Sequence, residues 1–317
     1  MGGARRGGGK GRPRVLVTGG AGFIGSHLVD ALAPGHDVVV FDDFSTGRME
    51  NLLGPAGHRI VRGSVTRPSE LELACAGAGT VFHLAARPSV PASVADPRGS
   101  ARVNLDGTLN VLEAARRCDV GKVVFSSSCA VYGDARPPVG ETAAPDPKSP
   151  YAVQKLAAEH YCRNYHELYG LRTVCLRYFN VFGPRQDPAS QYAAVVPVFF
   201  RDIARKGRVT VYGDGRQTRD FIFVEDVVRA NLLAAMKGSA DGQVLNIATG
   251  KGTSVNALAR EIARLSGKPL SVERAPPRRG DVRHSFAEVG KARRLLGFRP
   301  ETSLEAGLRA FRSALGR

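Results

Sequence analysis

Short apolar runs alternate with amphipathic stretches along the first 180 residues. Arg14-Val15-Leu16-Val17 reads as a short buried strand, and Gly19 to Ala33, GGAGFIGSHLVDALA, as a turn running into a helix. Asp37 to Phe41, DVVVF, is the next strand, with weaker strand signals at 59–62 and 80–84. A helix is expected around 100–117, then a strand over Lys122–Phe125, a helix over about 150–169 and a strand over Thr173–Arg177. Strands alternating with helices of this length mean βαβ units. The expected fold class is therefore α/β with a doubly wound parallel sheet.

The pattern loosens after residue 180, where Pro and Gly become frequent. Helices are expected at 193–206, 225–237, 254–266 and 303–315. They predict a smaller α/β region on the C-terminal edge of the sheet, where open α/β sheets bind ligands. Residues 1–13, MGGARRGGGKGRP, have nothing to bury and read as a disordered basic tail.

The 317 residues are 43% hydrophobic and 23% charged, which excludes collagen-like, wholly disordered and disulfide-scaffold chains. No run reaches the roughly 18 apolar residues that a membrane span needs, so no membrane partner is expected. No apolar segment follows the basic N-terminus, so no secretory signal is expected. Five cysteines, at 75, 118, 129, 162 and 175, form no CxxC pair; a reduced, cytoplasmic setting and no metal site follow. The net charge of +16 is uneven: residues 1–14 hold five Arg or Lys and no acid, and 251–317 carry +9. Such ends suit nucleic acid, a membrane surface, an anionic small substrate or plain solvated surface. The lack of RNP-like aromatics argues against nucleic acid.

Gly19, Gly22 and Gly25 follow a strand and open a helix with GxxGxxG spacing. Glycines there permit a tight turn and close backbone approach to a pyrophosphate, which the helix N-terminus favours. Asp42 ends the second strand, 23 residues after Gly19. A carboxylate there accepts hydrogen bonds from ribose hydroxyls and repels a 2′-phosphate, so NAD is expected rather than NADP.

These residues sit among TGGAGFIGSHLVDAL (18–32), HLAA (83–86), NLDGTLNVLEAA (104–115), SSSCAVYGD (126–134), SPYAVQK (149–155) and LRYFNVFGPRQ (176–186). In that order they resemble the extended short-chain dehydrogenase/reductase family, in particular its sugar-nucleotide epimerases and dehydratases, over about 14–317. The resemblance implies a Rossmann-type NAD-binding domain over 14–180, joined by part of 218–250, and a mainly substrate-binding region over 181–317. It implies cofactor contacts from Gly19, Gly22, Phe23, Ile24, Gly25, Asp42, Ser45, Thr46, Gly47, Ser64, Val65, Leu84, Ala85, Ala86, Asn104, Ser126, Tyr151, Lys155 and Tyr178. Ser64 is a departure, because many members carry Asp there against the adenine; Ser can still hydrogen-bond.

Tyr151 and Lys155 form YxxxK, four residues apart on one helix face. A phenol titrates near pKa ~10; a nearby ammonium and a positive nicotinamide favour the phenolate and make Tyr151 a base near neutrality. Ser128 lies 23 residues upstream, and the resemblance makes Ser128, Tyr151 and Lys155 the catalytic triad, with Ser127 as an alternative hydroxyl. Dehydratases of the family carry Asp and Glu after that Ser, and uronate decarboxylases a Glu at the second position. Here Cys129 and Ala130 stand there. That leaves redox at one carbon, with Cys129 a small packed residue.

The resemblance further implies substrate contacts from Ser128, Tyr151, Asn180, Val195, Tyr212, Arg219, Arg278, Asp281 and Ser285. Gln191 to Pro197 would face uracil, Arg219 and Arg278 would clamp the diphosphate, Asp281 would take the uridine ribose, and the small Ser285 would admit an N-acetyl group at C2. The function this implies is a UDP-hexose 4-epimerase for UDP-GlcNAc/UDP-GalNAc and UDP-Glc/UDP-Gal, a homodimer through a four-helix bundle. The alternatives are another sugar-nucleotide enzyme of this fold, such as a dehydratase or a UDP-glucuronate decarboxylase or epimerase, and a non-catalytic NAD- or RNA-binding protein.

Overall fold

The computed structural model describes residues 11–54, 57–187, 194–277 and 282–315. The chain runs through β1 (Arg14–Thr18), α1 (Phe23–Leu32), β2 (Asp37–Asp42), β3 (His58–Arg62), α2 (Pro68–Cys75), β4 (Thr80–His83), α3 (Val90–Ala95), α4 (Pro97–Ala101), α5 (Gly107–Arg117), β5 (Lys122–Ser128), α6 (Pro150–Tyr169) and β6 (Arg172–Tyr178). It continues through β7 (Asn180–Phe182), α7 (Val195–Lys206), β8 (Arg208–Tyr212), β9 (Thr218–Arg219), β10 (Phe221–Phe223), α8 (Val224–Met236), β11 (Gln243–Ile247), β12 (Thr253–Ser254), α9 (Val255–Ser266), β13 (Ser271–Ala275), β14 (His284–Ser285), α10 (Gly290–Leu296) and α11 (Leu304–Leu315).

The seven-stranded sheet has the order β11-β6-β5-β4-β1-β2-β3, every pair parallel. Period-two alternation feeds two cores, one on each face. Val15, Val17, Val38 and Val40 pack with α1 and α8, while Leu16, Val39 and Phe41 pack with α2, α5 and α6. Burial on both faces makes these strands continuously apolar. A third core joins α7, α9 and α11 around Phe182, Phe200 and Phe311. No helix among the described residues is long and apolar enough to cross a membrane.

The order reverses between β1 and β4, so a crevice opens at the C-terminal ends of these strands. β11 brings the chain back to the sheet beside β6. Lys122, buried at the start of β5, donates to the carbonyls of Ala234 and Lys237 and pairs with Asp241 at 2.6 Å.

The helix expected at 100–117 is interrupted. A π-helical turn, Arg102–Asp106, separates α4 from α5. It turns the Asn104 side chain inward, where Ser100, Gln154 and the Arg87 backbone hold it. Residues 1–10 of the expected tail lie outside the described residues. Arg12 and Pro13 are held: the Asp37 amide donates to the Pro13 carbonyl at 3.0 Å, and the Arg12 guanidinium to the Ala33 carbonyl at 3.4 Å.

Asp220, fully buried, joins the segments that flank the crevice. Its carboxylate accepts from the Thr249 amide (2.8 Å), the Thr249 hydroxyl (2.6 Å) and the Gly250 amide (2.8 Å). Its own amide donates to the Ser285 carbonyl, and its carbonyl accepts from the Asn180 amide. With the Ala287 amide, which also donates to it at 3.4 Å, Asp220→Ala strands four donors, so urea denaturation should show a loss of about 3 kcal/mol or more. Asp220→Asn, which keeps one acceptor oxygen, should lose less. An unchanged midpoint in the Ala variant would mean the donors find other acceptors.

Candidate active site

The glycine turn is shaped by close contacts. Gly19 has φ +71°, and a Cβ on it would lie 2.6 Å from the Ala85 nitrogen; on Gly25 it would lie 2.1 Å from the Gly19 carbonyl oxygen. Gly22 caps α1 with no side-chain hydrogen bond, so the first-turn amides, from Phe23 and Ile24 onward, present an uncapped N-terminus at the end of β1. Asp42, 7% exposed, accepts from the Ala21 amide (2.9 Å) through one oxygen and from the Phe44 amide (2.8 Å) through the other. Burial raises its pKa. Each oxygen keeps a lone pair for a further donor. An uncapped helix start and a carboxylate beside it are what a dinucleotide's diphosphate and ribose need, so these residues fit NAD.

Gly47 packs beside Ala21 and Asp42. Ser45 and Thr46 are exposed, and the Ser45 amide donates to Asp43. Ser64 lies with its hydroxyl 3.4 Å from the Asp43 carboxylate, which places a carboxylate beside the position where Ser64 departs from the family pattern. Val65 is buried near Gly107. Leu84, Ala85 and Ala86 follow β4, held by Leu84 and Ala85 amide bonds to Thr18.

Ser128, Tyr151 and Lys155 come together where β5 ends. The Ser128 hydroxyl is near enough to the Tyr151 phenol to favour its ionised form, and it also accepts from the Ala130 amide at 3.2 Å. Lys155 donates to the Ser126 carbonyl at 2.7 Å and stands 6.0 Å from the centre of the Tyr151 ring. Burial pushes Tyr151 up to about 12, although the Ser128 hydroxyl works the other way, and pulls Lys155 down to about 8. Desolvation outweighs what the protein's own groups contribute at Tyr151.

Several expected ligand contacts are already committed inside the fold. The Asn104 amide makes four internal bonds and braces the loop after β4 against α6. The Tyr178 phenol is shared between Ser126 (3.0 Å) and Asn231 (2.9 Å), turned into the core. The Ser127 hydroxyl, the alternative to Ser128, donates to the Glu159 carboxylate. The Asn180 side chain donates to the Asp220 carbonyl at 3.3 Å.

Ser285 pairs in register with Arg219, and its hydroxyl is near enough to the Cys129 thiol to act on it. Cys129 directly follows Ser128 and lies near Ser285, so it adjoins the expected site. Burial pushes its thiol up to about 11. Val195 begins α7 and Tyr212 ends β8, where it is 37% exposed. Arg278 and Asp281, with Gln191, Tyr192 and Ala193, lie outside the described residues.

The sequence profile of the NAD dependent epimerase/dehydratase family matches residues 15–248. The chain belongs to that family. It is 42% identical over 303 residues to UDP-glucose 4-epimerase of Mycolicibacterium smegmatis, covering 93% of this chain and 96% of that one. Among solved structures it resembles UDP-N-acetylglucosamine 4-epimerase from Methanobrevibacter ruminantium in complex with UDP-N-acetylmuramic acid, at 41% identity and TM-score 0.92 over 96% of this chain and 98% of that one. It also resembles UDP-glucose 4-epimerase of Thermotoga maritima with UDP-glucose, at 41% identity and TM-score 0.91 over 96% and 98%. Membership makes NAD the cofactor of this chain.

Three residues of this family member escaped the sequence reading. His83 bridges Thr18 (2.7 Å) and Thr108 (3.0 Å), and burial, with the Lys155 charge, pulls it down to about 3. Asp220 adjoins Arg219, and Glu159 stands one turn beyond Lys155; proximity to a motif is the only signal either carries.

Protein denatured after purification should release NAD and no NADP; recovery of NADP would remove the role given to Asp42. Gly25→Ala should purify with little bound nucleotide, because the new methyl meets a backbone oxygen rather than a side chain that can move. Wild-type nucleotide content in that variant would show that the turn can open without loss.

Proposed function

We propose that this chain is a UDP-hexose 4-epimerase that interconverts UDP-GlcNAc with UDP-GalNAc, and UDP-Glc with UDP-Gal, through a transient 4-keto sugar. The content of the catalytic corner carries this reading. One Ser–Tyr–Lys set is followed by Cys129, whose thiol burial keeps protonated, and by Ala130, which has no proton to move. Loss of water or of carbon dioxide needs a further acid or base there; redox at one carbon does not.

Tyr151 accepts the proton of the sugar 4-hydroxyl, and Ser128 hydrogen-bonds the same oxygen. Lys155, held by the Ser126 carbonyl, sets its charge behind the Tyr151 ring and favours the phenolate. When bound, NAD supplies the reversible oxidation of C4 and, through its positive ring, charge that offsets the burial of Tyr151. Arg219, with Arg278, holds the diphosphate while the keto sugar turns about it. Asp42 and the glycine turn hold the cofactor. The contact between Ser285 and Cys129 supports a roomy C2 side, since both residues are small. A homodimer through a bundle of α5 and α6, in the cytoplasm, completes the reading. Exposed Val153, Tyr161 and Leu168 on α6 support the first part, and five free cysteines the second.

Incubation with UDP-Glc, UDP-GlcNAc and UDP-GlcA, with separation of products, tests this function. C4 epimers of the first two support it; loss of water or carbon dioxide from any of them overturns it. Tyr151→Phe should keep UDP-sugar affinity within a few-fold and lower turnover at least ~100-fold. Turnover like wild type would remove Tyr151 from the chemistry. Ser285→Tyr should lower kcat/KM for UDP-GlcNAc by roughly 5- to 200-fold, the worth of overfilling a packed site by about 1–3 kcal/mol. UDP-Glc, with a hydroxyl at C2, should be nearly unaffected. Equal losses on both sugars would mean a general disturbance, and no loss on either would mean Ser285 does not gate C2.

A further inference from the structure

Glu159 lies on α6 one turn beyond Lys155 and two beyond Tyr151. Its side chain is only 4% exposed. Arg177 on β6 donates to it twice, Nε to Oε1 at 2.9 Å and Nη2 to Oε2 at 2.6 Å, and the Ser127 hydroxyl donates to Oε1 as well. Removing an ion pair from water is costly, so such a pair is weak ground for stability. Its position gives it a different meaning. Ser127 stands between Ser126, whose carbonyl receives Lys155, and Ser128, which meets the Tyr151 phenol. The Glu159–Ser127 bond therefore ties β5 to α6 at the one place where both elements carry the triad.

The groups that act on Lys155 are Tyr151, Glu159 and Cys162 from its own helix, His83 from β4 and Cys175 from β6. Burial pushes the Tyr151 phenol up to about 12 and, with the Lys155 charge, pulls His83 down to about 3. The two cysteines are free thiols. Glu159 is the one carboxylate among these groups; the Arg177 guanidinium paired with it offsets part of its field, while little solvent is present to screen the rest.

We infer that Glu159 is a positioning residue for the epimerase reaction: through Ser127 it holds the triad end of β5 against α6, and its charge keeps the Lys155 ammonium protonated. This rests on the catalytic reading above. Burial already pulls Lys155 down to about 8, so loss of the carboxylate brings its titration toward neutral pH.

The test compares Glu159→Gln, Ser127→Ala and Ser127→Thr in the NAD-loaded protein. The first readout is the titration of Lys155 by NMR of labelled lysine side chains, assigned by the signal lost in Lys155→Arg; it needs no substrate. The second is the pH profile of kcat with whichever UDP-sugar the wild type converts. Glu159→Gln should lower the Lys155 midpoint by about one pH unit or more and bring the high-pH fall in kcat down with it. Ser127→Ala should leave that midpoint in place, lower kcat about tenfold and hold KM within about twofold; Ser127→Thr should recover most of the loss. Should Glu159→Gln not fold, Glu159→Gln with Arg177→Met, which leaves no buried charge unpaired, takes its place; a positive charge goes with the negative one, so the Lys155 midpoint should still fall, but by less. An unmoved Lys155 midpoint, or wild-type kcat in Ser127→Ala, overturns the inference. A wild type that converts no UDP-sugar while the Lys155 midpoint still moves removes the proposed reaction and leaves the electrostatic role of Glu159 standing.

Discussion

A phenol and an ammonium share one buried corner at the end of β5, and burial disfavours the charged form of each. Tyr151 moves up and Lys155 moves down, so the two groups that must carry charge for proton transfer are both pressed toward neutrality. The structure around them works against that pressure. The nearby Ser128 hydroxyl favours the ionised phenol, the Ser126 carbonyl receives the ammonium, and the Phe125 ring lies 4.7 Å from Lys155 Nζ, a cation–π distance. His83, kept neutral between two threonines, adds no competing charge. The same burial that makes the pair hard to charge also excludes the water that would otherwise screen it.

The main strands were legible because both faces of the sheet are covered, which writes them as unbroken apolar runs such as Val38 to Phe41. The break between α4 and α5 was not. Arg102–Asp106 suits an ordinary helix locally, and what widens the turn is a set of bonds from Asn104 to Arg87 and Gln154, remote in sequence. The chain's return to the sheet at β11 was expected only as a segment, since its register is set by pairing with β6 and not by its own pattern.

At the site the same division holds. The glycine turn and YxxxK encode their geometry within one or two helical turns, so spacing alone places them. Asp220 cannot be read that way, because its donors come from Thr249 and Gly250, far along the chain. The choice between Ser127 and Ser128 also needed the fold. Adjacent strand residues point to opposite sides, so one hydroxyl meets Glu159 and the other the phenol.

The edge position of β11 has a consequence for biosynthesis. The strand that closes the sheet beside β6 is made last, after α8, so a nascent chain that already holds β1 to β6 displays the unpaired edge of β6 until residue 247 leaves the ribosome. Lys122 is in the same position, because its carbonyl acceptors and Asp241 belong to residues 234–241. Its ammonium stays hydrated until they arrive. The half-made enzyme thus keeps a water-bound charge beside its sticky edge, and that charge is buried only when the edge is covered.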